Sequence, residues 1–136
     1  MQMSNPFLQS QGIELIRWEP GEAVFRMQIE THHLNRQGCL HGGMTATLLD
    51  VACGYAGLHT GEVNVEMSGV TVMLNISYLN FVRGGAVIAK GVCSRKGRRI
   101  YFSEATLSSE DGELLATAHG CFKQNAGHET GSYSAA

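Results

Sequence analysis

The hydrophobic period of this chain changes along its length, and each change predicts an element. Residues 12–30, "GIELIRWEPGEAVFRMQIE", alternate polar and apolar on both sides of a Pro-Gly pair, which predicts strand, tight turn, strand. Residues 1–11 read as a short amphipathic helix, with Asn5 and Pro6 placed as a helix start. Residues 31–41 are polar, contain Gly38 and read as a loop. Residues 42–59 are small and apolar, with Asp50 as their one charged side chain. That pattern predicts a helix buried on most sides, ending near Gly57–Gly61. Residues 60–69 read as a loop.

The second half returns to period two. In "VTVMLNISYLNFV" the apolar face is Val70, Val72, Leu74, Ile76 and Tyr78, and Thr71, Met73, Asn75 and Ser77 take the other. "GAVIAKGVCSR", a "KGR" turn, "RIYFSEATLSSE", a "DG" turn and "ELLATAHGCFKQ" continue it as an antiparallel meander. Residues 125–136 are small and polar and read as a disordered tail, leaving residues 1–124 as one domain. No internal repeat is visible. The pattern predicts an α+β fold: one long central helix wrapped by a twisted antiparallel sheet of five to six strands. One sheet cannot cover so apolar a helix on every side, so a second copy is the expected cover.

Composition narrows the function mainly by exclusion. With 136 residues, 43% of them hydrophobic, the chain is long enough for one core. A net charge of −2 offers no electrostatic attraction to nucleic acid or an anionic membrane. No apolar run approaches the roughly 20 residues that span a bilayer, and the N-terminus lacks the basic start of a secretory signal. The cytoplasm is the default compartment. Cys39, Cys53, Cys93 and Cys121 show no CxxC spacing and read as reduced and structural. His32 and His33 read as loop histidines, and no metal-ligand cluster accompanies them. Neither G-x-S-x-G, a P-loop nor G-x-G-x-x-G occurs.

Chemistry concentrates around the start of the buried helix. Gly42 and Gly43 open it, although glycine costs a helix roughly 1 kcal/mol relative to alanine. They serve either a tight turn or close approach of a ligand to the backbone. The first amides of a helix have no internal partner and carry partial positive charge, so a carbonyl against the Gly42 N–H would be polarised. Asp50 is a carboxylate on a helix read as buried, and burial without a partner is expensive. It is either paired structurally or functional, as a base or nucleophile. Within one helix it lies nine residues from His41, roughly 13 Å away and half a turn around.

The stretch N-x-x-G-x-x-H-G-G-x-x-x-x-L-x-D, here Asn35, Gly38, His41, Gly42, Gly43, Leu48 and Asp50, followed by antiparallel strands, resembles the hotdog-fold acyl-CoA thioesterases, closest to their PaaI-like branch. The resemblance covers residues 10–124. It implies hydrolysis of an acyl-CoA to free acid and CoA by a homodimer, assembled as a dimer of dimers, with the active site between protomers. It implies that Gly42 N–H polarises the thioester carbonyl and that the partner's Asp50 activates water or attacks directly. Asn35 would position the water, His41 would steady the loop and the thioester, and Thr71 would orient the nucleophilic water. No cofactor is implied, since CoA belongs to the substrate. Its phosphates would suit Arg83 with Gly84, or Arg98 and Arg99 at the "KGR" turn, and Met44, Leu48, Tyr55 and Met73 could line an acyl pocket. A non-catalytic acyl-CoA-binding module and an enoyl-CoA hydratase or dehydratase on the same fold are the alternatives.

Overall fold

The computed structural model describes residues 5–61 and 67–126. Asn5 caps the first helix, α1 (Pro6–Gln11), by accepting the Leu8 amide at 3.3 Å, and Pro6 supplies the helical φ at the first position. The expected hairpin is β1 (Ile13–Glu19) and β2 (Glu22–Gln28), closed by Pro20 and Gly21. Gly21 sits at φ +82, which a side chain would resist. A 3₁₀ turn (Thr31–His33) and an irregular loop lead into α2 (Gly42–Ala56). Then follow β3 (Met67–Tyr78), β4 (Ala86–Lys96), β5 (Ile100–Ser109) and β6 (Leu114–Ala126). Of the expected loop at 60–69, residues 62–66 lie outside the described residues, and residues 67–69 are not loop but the start of β3, whose pairing with β6 extends that far. Most of the expected tail also lies outside the described residues, although β6 continues two residues into it.

All six strands form one antiparallel sheet in the order β1-β2-β4-β5-β6-β3. The meander expectation therefore holds for β4 to β6 and fails for β3. That strand pairs with β6 at the far edge, while β4 takes the place beside β2. Periodicity reports which face of a strand is apolar but not which neighbour it chooses. Among the described residues no helix is long and apolar enough to cross a membrane.

The core lies between α2 and the concave face of the sheet. Leu48, Leu49, Ala52, Cys53 and Ala56 point from the helix onto Phe25, Met27, Val87, Ala89, Leu107 and Phe122, and all are at most 2% exposed. Burial of each large side chain contributes roughly 1.5–3 kcal/mol. Helix and sheet meet at Gly91, where a Cβ would overlap the Ala52 carbonyl. The helix ends at Gly57, as expected near there, but not by a left-handed cap: its φ is −94, and a Cβ would run into the Tyr101 ring. Expected burial on most sides is only partly met. Met44, Ala46, Thr47, Asp50 and Val51 are half-buried, because the sheet wraps the helix from one side only.

The largest departure from simple alternation is in β3. A β-bulge lies between Thr71 and Met73, which pair with Phe122 and Cys121 respectively. Val72 is the extra residue, so the faces switch there. Thr71 joins Leu74, Ile76 and Tyr78 on the helix side, opposite Phe122, Gly120, Ala118 and Ala116. Val70 and Val72, expected to face inward, are 46% and 59% exposed.

Candidate functional site

His41 organises the start of α2. Its Nδ1 accepts the Gly43 amide at 2.8 Å, and its carbonyl accepts Met44 N at 2.9 Å and Thr45 N at 3.1 Å. Because Nδ1 is the acceptor, the neutral ring carries its proton on Nε2. The Thr45 bond is the first regular helical one; with the His41 amide donating to His33 O at 2.8 Å, three of the four amides that a helix start leaves without an internal partner are satisfied. The fourth, Gly42 N–H, has no hydrogen-bond partner among the described residues. Glycine is not needed there for room within the chain, since a Cβ would rest 3.6 Å from the Tyr78 ring, an ordinary contact. At Gly43 the case is different: a Cβ would press on His41 Nδ1 at 3.0 Å, so glycine there lets the cap form.

Asp50 lies two turns further on, half-buried, and Thr71 Oγ1 donates to its Oδ1 at 2.7 Å. The bulge at Val72 is what makes this bond possible, because unbroken alternation would turn Thr71 away from the helix. Gly42 and Asp50 of one chain are eight residues apart in α2, roughly 12 Å along its axis. The chain therefore pairs Asp50 with Thr71 but does not bring Asp50 to Gly42.

Asn35 shapes the preceding loop. Its Oδ1 accepts Gln37 N at 2.9 Å and Cys39 N at 3.0 Å, which leaves its NH₂ group to act outside the loop. Beside it a cleft of about 500 Å³ is lined by Asn35, Leu40, Gly42, Thr45, Tyr78 and Phe81. Tyr78 closes one wall and donates its hydroxyl to the Gly42 carbonyl at 2.8 Å. The sequence pattern offered Tyr78 only as one more inward strand position. Its contact with Gly42 depends on register and strand order, for which no local signal exists.

The two groups of expected CoA-phosphate ligands separate. Arg83 lies near the Gly42 end: it donates to Gln37 O at 2.7 Å and stacks over the Phe81 ring at 5.4 Å, with Gly84 beside it in the link to β4. Arg98 and Arg99 lie past the other end of β4, an 11-residue strand of roughly 33 Å. There Gln124 holds the turn, donating its side-chain amide to Gly97 O and Arg98 O and its backbone amide to Arg99 O. One protomer cannot place all three arginines on one phosphate group. The acyl-lining expectation also changes. Leu48 is fully buried core, Tyr55 packs edge-on against Trp18 and Phe25, and Met73 faces the outer side of the sheet.

His33, read from sequence as a loop histidine, ends the 3₁₀ turn and is part of the packed interior. It is fully buried, its Nδ1 accepts Glu30 N at 2.9 Å, and its Nε2 lies 3.0 Å from the Gln11 carbonyl. Its own carbonyl accepts the His41 amide at 2.8 Å. Desolvation first, and the neighbouring His32 second, lower its pKa. Burial pushes the Cys53 thiol up to about 12, with Asp50 adding to the rise, so that cysteine stays protonated and is no nucleophile.

Comparison with known proteins agrees with this architecture. The family described as Thioesterase superfamily matches residues 37–116. Human acyl-coenzyme A thioesterase 13 is 32% identical over 106 residues, covering 76% of this chain and 74% of that protein. A conserved protein from Pseudomonas aeruginosa superimposes with a TM-score of 0.82 at 28% identity, covering 90% of this chain and 96% of that one. A mutant of the phenylacetic acid degradation protein PaaI from Thermus thermophilus superimposes with a TM-score of 0.78 at 28% identity, over 88% and 98% of the two chains.

Proposed function

Since this chain belongs to the thioesterase superfamily, we propose that it hydrolyses acyl-CoA thioesters, with Gly42 of one protomer and the partner's Asp50 acting on the same carbonyl. The observation that carries the reading is the pairing of two prepared groups on one helix. One is an amide at a helix start left without a partner among the described residues, and the other is a carboxylate held by a hydroxyl. They are too far apart to serve one carbonyl within a chain. An antiparallel pair of α2 helices, related by a two-fold axis midway between residues 42 and 50, brings each to the other.

The exposed edge supports such a pairing. Met67–Tyr78 contains no charged residue and no proline, the usual protections of a free strand edge. The opposite edge, β1, carries Glu14, Arg17 and Glu19; both edge strands contain a bulge, so charge is what separates them. β3 is therefore the edge on which a second copy adds its own β3. Further assembly of two dimers is compatible with either face.

The chemistry follows from the groups available. Gly42 N–H, at the positive end of the α2 dipole, donates to the thioester oxygen and stabilises the charge that develops there. The partner's Asp50, steadied by Thr71, takes a proton from water as its oxygen bonds to the carbonyl carbon. Collapse of the tetrahedral adduct breaks the carbon–sulfur bond, and the thiolate leaves as CoA and acquires a proton. Direct attack by Asp50 would give a mixed anhydride that water then opens. Asn35 contributes its NH₂ to the water or substrate, His41 secures the helix start, and Arg83, held against Gln37 and Phe81 of the cleft wall, is placed to meet a phosphate outside it.

The test is thiol release from a panel of aromatic, medium-chain and long-chain acyl-CoAs. Wild-type protein turns over at least one of them, and Asp50→Asn lowers kcat by roughly two or more orders of magnitude while the oligomer persists. An active Asp50→Asn variant would remove Asp50 from its role. Tight CoA-ester binding with no turnover of any thioester would favour a binding module, and loss of enoyl-CoA absorbance would favour a hydratase.

A further inference from the structure

We propose that Tyr78 is a positioning residue for the Gly42 amide, acting through the peptide group on the other side of that glycine. The proposal rests on the thioesterase reading above. A glycine at the point of substrate approach leaves space, but it also leaves φ and ψ loosely held. An amide that is to polarise a carbonyl must keep its direction, because electrostatic stabilisation comes from dipoles already aimed. The structure holds both peptide groups that flank Gly42. The Gly42–Gly43 group is held at its carbonyl by the Tyr78 hydroxyl at 2.8 Å and at its N–H by His41 Nδ1 at 2.8 Å. The His41–Gly42 group, which carries the Gly42 N–H, is held at its carbonyl by Met44 N and Thr45 N.

Of these ties only Tyr78 comes from the sheet. The others belong to the first turn of α2 and would move with it. Tyr78 therefore sets where the helix start stands relative to β3, the strand whose Thr71 holds Asp50. One strand references both catalytic groups of the helix, and the bulge at Val72 keeps Thr71 and Tyr78 on the same face. Tyr78 is 58% exposed and lines the cleft beside Gly42. In the single protomer a side chain so open to water adds little to folding through one hydrogen bond, since water can replace it. What it adds is direction at one glycine.

Tyr78→Phe keeps the ring against Gly42 and removes only the hydroxyl. The expected result is a fall in kcat of about three- to tenfold, the equivalent of one neutral hydrogen bond. KM, thermal midpoint and affinity for a non-hydrolysable thioether analogue of the substrate stay at wild-type values. Affinity for a trifluoromethyl ketone analogue, which binds as a tetrahedral adduct bearing the oxyanion, falls by the same factor as kcat. An unchanged kcat in Tyr78→Phe overturns the inference. So does a joint loss of kcat, thermal midpoint and thioether affinity, which assigns Tyr78 to packing. Absence of thiol release by the wild type from every thioester overturns the functional reading itself, and this inference with it.

Discussion

Thr71→Val tests whether the bulged strand prepares Asp50 for chemistry. The substitution exchanges a hydroxyl for a methyl and keeps the β-branched shape that strands favour. It removes the 2.7 Å donor to Asp50 Oδ1. A hydrogen bond to a charged group contributes roughly 1.5–3 kcal/mol, and the open setting of Thr71 argues for the lower end. At about 1.4 kcal/mol per factor of ten, loss of that orientation lowers kcat by roughly tenfold. The effect on folding is smaller, about 0.5–1 kcal/mol, because water can replace the lost donor at this exposed position. For a domain of this size that is a shift of roughly 2–4 °C in thermal midpoint. Thiol release at saturating acyl-CoA measures kcat, and differential scanning calorimetry measures the midpoint. Thr71→Ser restores the donor and should restore most of kcat. Wild-type turnover in Thr71→Val, or a Ser variant as impaired as Val, would refute the idea that this bond serves Asp50 in the reaction.

Three further outcomes follow from other parts of the fold. Gly91→Ala drives a methyl into the Ala52 carbonyl and should cost about 3 kcal/mol or more, read as a lower urea midpoint at unchanged m-value; near-wild-type stability would show that helix and sheet separate easily. His33 has a lowered pKa in the fold, so the unfolded chain binds its proton first as pH falls through about 6.5; stability is full above that pH and declines below it, and the decline should flatten in His33→Gln. Val72→Lys places a charge on the bare β3 edge and should shift the protein towards monomer in analytical ultracentrifugation, with turnover lost in parallel; an active monomer would contradict a shared site.

The amino-acid pattern alone was enough for the element inventory. Helix starts at Asn5 and Gly42, the Pro20–Gly21 turn and the strands on either side of "KGR" and "DG" are local matters, governed by φ preferences, capping and period. The motif from Asn35 to Asp50 likewise singled out the candidate site before any fold was visible, because glycines at a helix start and a lone charge in an apolar helix are costly where nothing uses them. Tertiary structure decided what these pieces touch. Placing β3 at the far edge, beside β6, left an uncharged edge strand. One extra residue at Val72 turned Thr71 from the outer face to Asp50 and exposed two valines that simple alternation buries. Tyr78 became a contact of Gly42, His33 became a buried tie to the His41 loop, and Arg83 parted from Arg98 and Arg99 by the length of a strand. The division has one physical cause: backbone preference and capping act over a few neighbouring residues, whereas register, bulges and strand order are set by contacts between segments far apart in sequence.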